Sequence, residues 1–199
     1  FRLRIFFKSQ IMFLENNVNH QDQLGWIEVI CGSMFSGKTE ELIRRLKRVS
    51  FANQKALIFK PVTDDRYSKN KVVSHDSKEI ESISVHSSTE IEPLSKNVDV
   101  IAIDEAQFFD DNIVSVCNML ANNGKRVIVA GLDMDFEGKP FGPMPSLMAT
   151  AEFVTKVHAI CTKTGNLANF SHRISKSKDL VLLGERDEYQ PLSRAAFNK

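Results

Sequence analysis

One segment of this 199-residue sequence has the residue types and the spacing of a phosphate-binding loop. It fits the pattern GxxxxGK followed by Ser or Thr, and its members are Gly32, Ser33, Met34, Phe35, Ser36, Gly37, Lys38 and Thr39. Glycines permit a turn tight enough for successive backbone N–H groups to surround phosphate oxygens. Lys38 is expected to reach the β- and γ-phosphates of ATP, and Thr39 to hold Mg²⁺. The segment therefore predicts a site for a nucleotide and magnesium.

A second segment supplies the acidic residues that such a site needs. The apolar run 100–103 ends in Asp104, which is the pattern of a strand that delivers a carboxylate to a bound Mg²⁺. Glu105 follows directly, and a carboxylate in that position can accept a proton from the group that attacks the γ-phosphate. Either water or an alcohol can be that group. These residues therefore leave ATPase, GTPase and kinase activity open.

The segments around both motifs predict a mainly parallel sheet. Trp26–Cys31 is a β-branched run that leads into the loop, and Glu40–Phe51 has apolar residues at helical spacing. Further strands are predicted at 56–59, 98–103 and 127–130, and a further helix at 113–122. Apolar strands that alternate with helices are typical of an α/β fold whose parallel sheet has helices on both faces. The sequence thus predicts the strand, loop and helix that a phosphate-binding loop requires.

The chain is predicted to divide into three parts. Residues 1–24 read as an N-terminal extension outside the fold, and Met12 opens a more ordinary polar leader, so the natural start is expected there. Residues 25–153 are expected to form the P-loop α/β domain. Residues 154–199 are expected to form a small appendage built on a β-hairpin.

The sequence around that boundary changes character. A Gly/Pro-rich stretch from Asp133 predicts a shaped loop, and a helix is predicted at 146–152. A strand at 154–160 is then expected to pair with a strand at 180–183, across a polar, lysine-rich loop at 171–179.

Composition limits the classes of function. The sequence is 42% hydrophobic and 26% charged with a formal net charge of +1, as in ordinary globular proteins. No apolar run approaches the roughly 20 residues that span a bilayer. Neither a nucleic-acid partner nor a membrane partner is expected. Cys31, Cys117 and Cys161 form no CxxC pair, so we expect no disulfide framework, no complete metal site and a reducing cytoplasm.

Six strings in one order resemble the thymidine kinase family related to the cytosolic human and bacterial enzymes. They lie at 32–42, at 59–61 with 65–67, at 74–76, at 104–109, at 130–133, and at 136 with 139–142. The resemblance implies transfer of the γ-phosphate of ATP to the 5′-hydroxyl of thymidine. Two alternatives remain beside it: a P-loop ATPase of another kind, in which Glu105 orients water, and a non-catalytic nucleotide-binding module.

The resemblance also implies roles for individual residues. Glu105 would accept the proton of the 5′-hydroxyl, and Arg66 would approach the phosphates. The residues that border ATP would be Asp104, Glu105, Ala106 and Gln107. The thymidine pocket would have as walls Met34, Phe108, Leu132, Phe136 and Phe141, with Tyr189 near the base. A lasso loop would close over the nucleoside, and its returning strand would hold the base through Leu180, Val181, Leu182, Leu183 and Gly184.

The sequence departs from the family at a structural zinc site. Most members hold the base of the lasso with four Cys or His ligands, and the matching positions here are Cys161, Thr164, Ser193 and Ala196. Structural zinc needs four good donors, so we expect none to bind. Cys161 is then expected to be a small buried residue, and packing is expected to replace the metal through Phe170, Leu192 and Phe197. The family further implies a homotetramer and feedback inhibition by thymidine triphosphate.

Overall fold

The structure, a computed structural model, describes residues 24–62, 71–73, 79–175 and 188–199. The strands are β1 (Trp26–Cys31), β2 (Ala56–Pro61), β3 (Lys71–Val73), β4 (Glu79–Glu81), β5 (Ile83–Val85), β6 (Val100–Ile103), β7 (Arg126–Gly131), β8 (Phe153–Lys156), β9 (Ala159–Ile160), β10 (Leu167–Ala168), β11 (Phe170–Arg173) and β12 (Tyr189–Leu192). The helices are α1 (Lys38–Phe51), α2 (Ile91–Leu94), α3 (Ile113–Asn122), α4 (Met144–Thr150) and α5 (Arg194–Phe197), with 3₁₀ turns at Ser88–Glu90 and Ala106–Phe108. None of the helices in these ranges is long and apolar enough to cross a membrane.

Six strands form one sheet in the order β5-β2-β6-β7-β1-β8, and every neighbouring pair is parallel. The predicted parallel sheet is therefore confirmed. Because all six strands point the same way, the segments that follow β1, β6 and β7 lie at one edge of the sheet. These segments hold the phosphate-binding loop, the acidic pair and the Gly/Pro-rich loop. The topology thus gathers chemistry from three distant parts of the sequence.

Helices cover both faces of the sheet, as predicted. Neighbouring residues of β1 show this, because Ile30 packs with Leu42 and Leu46 of α1, whereas Val29 belongs to the cluster that contains α3 and α4. All these side chains are buried. Burial of apolar area on both faces is the main stabilising contribution, at about 25 cal/mol per Å².

A polar contact fixes α1 against the sheet. The buried carboxylate of Glu28 accepts hydrogen bonds from Arg45 of α1 at 2.6 Å and from Arg126 of β7 at 2.7 Å. Burial alone would raise the pKa of Glu28, but the hydrogen bonds and charges of Arg126, Trp26 and Arg45 prevail and lower it. The contact thus joins the middle of α1 to β1 and β7.

The expected strand at 154–160 is wrong as a single element. Its first part is β8, which pairs in parallel with β1 in the main sheet, with Val154 opposite Val29. Its second part, β9, pairs with β10 instead. The sequence could not show this, because both parts have the same strand character and differ only in their partners. The sheet therefore extends past residue 153, and the division into three parts stays a prediction.

The appendage contains two antiparallel pairs in its described part. They are β9 with β10, and β11 with β12. The expected polar loop at 171–179 is wrong over its first three residues, because β11 occupies them. Ser171 and Arg173 are polar but buried, and hydrogen bonds compensate their burial. The predicted strand at 180–183 lies outside the described residues.

Smaller differences concern the ends of elements. Helix α1 begins at Lys38, two residues earlier than expected, and α4 covers Met144–Thr150 instead of 146–152. Pro145 lies in the first turn of α4, where proline is tolerated because its missing N–H needs no partner there. The strand expected from residue 98 begins at Val100.

Candidate active site

The segment between β1 and α1 has the backbone of a phosphate-binding loop. Gly32 has a φ of 149°, and a Cβ there would lie 2.2 Å from the carbonyl oxygen of Val157. Gly37 has a φ of 85° and immediately precedes α1. Phe35 also has a positive φ, of 62°, although it is not glycine. Glycine adopts positive φ without steric cost, whereas the positive φ of Phe35 is costly, and strain of that kind clusters at binding sites.

Lys38 is the first residue of α1, and its side chain reaches back across this loop. Its Nζ donates a hydrogen bond to the carbonyl oxygen of Ser33 at 2.8 Å. Burial lowers the pKa of Lys38, while the nearby carboxylates of Glu105, Asp104 and Asp133 act in the opposite direction. The ammonium group is therefore positioned among negative charges at the edge where a triphosphate would enter.

Asp104 is buried where β6 ends, and its backbone N–H donates to the carbonyl oxygen of Phe59 at 2.9 Å. Burial and, next, the charge of Glu105 raise the pKa of Asp104 to about 7. A divalent cation would favour the ionised form again. The hydroxyl of Thr39 and the carboxylate of Asp104 are oxygen donors of the kind that Mg²⁺ prefers, so these residues fit the ion.

Glu105 differs from its neighbour because it is exposed and has a left-handed backbone, with a φ of 53°. Its N–H donates to Asp104 Oδ1 at 3.0 Å. Its Oε2 accepts a hydrogen bond from Nε2 of Gln107 at 2.5 Å. Ala106, between them, is fully buried. The carboxylate of Glu105 is thus accessible to a substrate and fixed by its neighbours.

The residues that were expected to line a nucleoside pocket form two contact groups. Phe108 and Phe141 are in edge-to-face contact, with ring centroids 5.6 Å apart. The guanidinium carbon of Arg173 lies 3.8 Å from the centroid of the Phe136 ring. The hydroxyl of Tyr189 accepts a hydrogen bond from the same guanidinium at 2.6 Å. Large flat side chains of this kind suit a flat base.

Two further expected residues, Leu132 and Met34, make hydrogen bonds through their backbone N–H groups. The N–H of Leu132 donates to Oε1 of Gln107 at 2.9 Å. The N–H of Met34 donates to Oγ of Ser171 at 2.9 Å. The phosphate-binding loop and the hairpin of β11 and β12 are therefore in direct contact. Arg66 and residues 180–184 lie outside the described residues.

Sequence reasoning missed three residues that contribute to this region. Arg173 and Ser171 lie on β11, and Asp133 follows β7 and pairs with Nζ of Lys156 at 2.5 Å. The apolar Phe170 at the start of β11 was the available signal for a strand. It was weak, because two of the inward side chains are polar.

The four family zinc positions lie together at the base of the appendage. The hydroxyls of Thr164 and Ser193 are 3.2 Å apart and hydrogen-bonded, and Cys161 is buried as expected. Burial acts to raise the pKa of Cys161, but hydrogen bonds from Thr164 and Ser193 lower it to about 6. Among the described residues no three His, Cys, Asp or Glu side chains form a group that could hold a metal.

Packing surrounds these positions. A small core contains Cys161, Leu192 and Ala196, and Phe197 packs against it. The rings of Phe197 and Phe170 are stacked with centroids 4.4 Å apart. Phe35 of the phosphate-binding loop contacts the same core.

The fold and the site together define a P-loop nucleotide-dependent enzyme. A glycine-rich loop with its lysine joins a parallel strand to a helix, and a neighbouring strand ends in a buried acid and an exposed one. Aromatic side chains stand beside this centre.

Comparison with known proteins identifies the family. Residues 25–197 match the family model described as "Thymidine kinase". The chain is 58% identical over 189 residues to the thymidine kinase of Bacteroides fragilis strain YCH46, covering 95% of each chain. It is 59% identical over 187 residues to that of Bacteroides thetaiotaomicron, covering 94% of each chain, and 54% identical over 186 residues to that of Porphyromonas gingivalis, covering 94% and 91%. The chain belongs to the thymidine kinase family, and its function is that of this family of phosphotransferases.

Solved structures show more distant likenesses. Domain III of the Thermotoga maritima replication initiation protein DnaA has a TM-score of 0.40 at 15% identity, covering 66% of this chain and 54% of its own. The genome packaging NTPase B204 of Sulfolobus turreted icosahedral virus 2 has a TM-score of 0.43 at 16% identity, covering 69% and 77%.

Proposed function

We propose that this chain transfers the γ-phosphate of ATP to the 5′-hydroxyl of thymidine with Glu105 as the general base. The observation that carries the assignment is the contrast between two adjacent carboxyl groups. Asp104 is buried at the end of β6, whereas Glu105 is exposed and held by Gln107 at 2.5 Å. The exposed group is the one that a substrate hydroxyl can reach.

The proposed reaction uses the phosphate-binding loop, Lys38 and Glu105 in different steps. The backbone N–H groups of the loop and Nζ of Lys38 bind the phosphates. The oxygen of the 5′-hydroxyl forms a bond to the γ-phosphorus while Glu105 accepts the proton of that hydroxyl. The bond between the γ-phosphorus and the oxygen that bridges it to ADP breaks at the same time. Mg²⁺, held by Thr39 and Asp104, would neutralise charge on the β- and γ-phosphates.

Thymidine would lie among the two aromatic groups. The faces of Phe108, Phe136 and Phe141 would hold the flat base, and Tyr189 would lie near it. Met34 and Leu132 would complete the apolar wall. By resemblance to the family, the backbone of residues 180–184 would orient the base, and Arg66 would offset charge on the phosphates.

Family membership supports further assignments. The chain would act in the cytoplasm in pyrimidine deoxynucleoside salvage, form a homotetramer and be inhibited by thymidine triphosphate. Deoxyuridine, which lacks only the methyl group of the base, would be a second substrate. No zinc would bind, because Thr164 and Ser193 form a hydroxyl pair and Ala196 has no donor atom.

The substitution Glu105→Gln tests the proposed base. The variant keeps Lys38, Thr39 and the loop amides, so ATP affinity should be nearly unchanged. Thymidine phosphorylation should fall by a factor of about 10² to 10⁴, the range of a lost general base. Single-turnover rates and ATP titration measure the two effects separately. Near-normal turnover would remove Glu105 from its role.

A further inference from the structure

The side chain of Gln107 is enclosed beside the proposed base. It is only 3% exposed. A Cβ on Gly131 would lie 2.9 Å from Oε1 of Gln107, and a Cβ on Gly142 would lie 2.3 Å from its carbonyl oxygen. Glycine at both positions therefore allows two segments to close around this residue. The amide has little freedom to turn toward solvent.

The hydrogen bonds of Gln107 determine how its amide is oriented. The backbone N–H of Leu132 can only donate, so the atom that it contacts at 2.9 Å is the amide oxygen. The amide nitrogen must then face Glu105, whose Oε2 lies 2.5 Å away. This oxygen of Glu105 accepts the hydrogen bond that the amide nitrogen of Gln107 donates. The amide of Gln107 therefore links the backbone of Leu132, after β7, to the carboxylate of Glu105.

We infer that Gln107 is a positioning residue, which holds the carboxylate of Glu105 in place for the substrate hydroxyl and acts on the reaction only through it. The inference rests on the proposed role of Glu105. This role stands beside the expected contact with ATP, since Leu132 and Glu105 each take one hydrogen bond of the Gln107 amide. Glu105 needs such support because its left-handed backbone is costly and its side chain is otherwise exposed.

A double-mutant cycle tests this inference. Gln107→Met keeps the length of the side chain and removes both hydrogen bonds. Turnover of thymidine should fall about 10- to 100-fold, the loss expected for a hydrogen bond to a charged group, while the KM for ATP stays the same. In the Glu105→Gln background the same substitution should change turnover by less than about twofold, because the residue through which it acts is already disabled.

Two other variants make the result specific. Gln107→Glu keeps the shape and the acceptor for Leu132 but puts a second carboxyl group beside Glu105, so it should lose activity to at least the same extent even if Gln107→Met folds poorly. Asn118→Ala removes a hydrogen bond of another side-chain amide, which Asn118 donates to the carbonyl oxygen of Val114 at 2.8 Å within α3. This control should leave turnover unchanged.

The outcomes separate the two assignments. An equal further loss in the double mutant, a change confined to the KM for ATP or thymidine, or unchanged turnover in both Gln107 variants would overturn the inference alone. Near-normal turnover of Glu105→Gln would overturn both the inference and the proposed base.

Discussion

Adjacent carboxyl groups at the end of β6 have different surroundings and so different chemistry. Burial and the charge of Glu105 raise the pKa of Asp104 to about 7, so this group gains from a bound cation. Glu105 is exposed and can meet a hydroxyl. The left-handed backbone of Glu105, with a φ of 53°, lies between these two surroundings. At the scale of residues, backbone conformation separates the proposed metal ligand Asp104 from the proposed general base Glu105.

Lys38 is the residue whose loss should damage phosphate binding most directly. Lys38→Ala removes a half-buried positive charge that lies near Asp104, Glu105 and Asp133. The KM for ATP should rise at least about tenfold and turnover should fall as well, because Lys38 is expected to contact the β- and γ-phosphates. Steady-state kinetics with varied ATP measure both. Lys47→Ala, on the exposed part of the same helix, is the control, and unaltered ATP use by Lys38→Ala would contradict the phosphate site.

Contacts between elements join the phosphate-binding loop to the appendage. Met34 donates to Ser171 of β11, and Phe35 packs on the small core at the base of the appendage. Arg173 of β11 lies over Phe136 in the Gly/Pro-rich loop and donates to Tyr189 of β12. The hairpin of β11 and β12 therefore contacts both proposed substrate regions. A change in this hairpin should raise the KM for thymidine more than the KM for ATP.

Arg173→Met tests the contact between the hairpin and the Gly/Pro-rich loop. Loss of the guanidinium removes the cation–π contact with Phe136 and the hydrogen bonds to Tyr189, so both side chains lose a support. We expect the KM for thymidine to rise about tenfold with little change in the KM for ATP. Arg194→Met is a matched control, because Arg194 is exposed and lies over Phe170 at 5.2 Å. Equal increases for both substrates would contradict the assignment.

For the molecule as a whole, the base of the appendage is held by packing and hydroxyl hydrogen bonds in its described part. Leu192 is 1% exposed, and Phe170 and Phe197 are stacked at 4.4 Å. Thr164 and Ser193 are hydrogen-bonded where the family has metal ligands. This arrangement supports our proposal that stability here does not depend on zinc.

Metal analysis tests that proposal. Purified protein should contain well below one zinc per chain, and activity should return in full once a chelator is removed and Mg²⁺ is restored. Adding Thr164→Cys, Ser193→Cys and Ala196→Cys together should create a site with Cys161 that binds one zinc, as a positive control. Stoichiometric zinc in the natural sequence, or permanent loss of activity on chelation, would mean that Cys161 has other partners, with His158 and His172 the first to examine.

The sequence by itself determined the features that depend on short segments. Local patterns predicted the strand, loop and helix around Lys38, the acidic end of β6 and the parallel sheet, and the structure confirms that fold. These features are readable because glycine spacing and apolar runs act over a few residues. The roles of Glu105 and of the aromatic residues stay predictions.

Tertiary structure alone decided which distant residues meet. The contact between Met34 and Ser171 joins positions 137 residues apart, and β8 joined the main sheet although its sequence suited a hairpin equally well. Arg173 became part of the candidate site because β11 pairs with β12 and its Arg173 contacts Phe136 in the Gly/Pro-rich loop. A strand pattern specifies an inward and an outward face but not the neighbour on either side. Those neighbours depend on the order of strands in the sheet and on the packing of the whole chain.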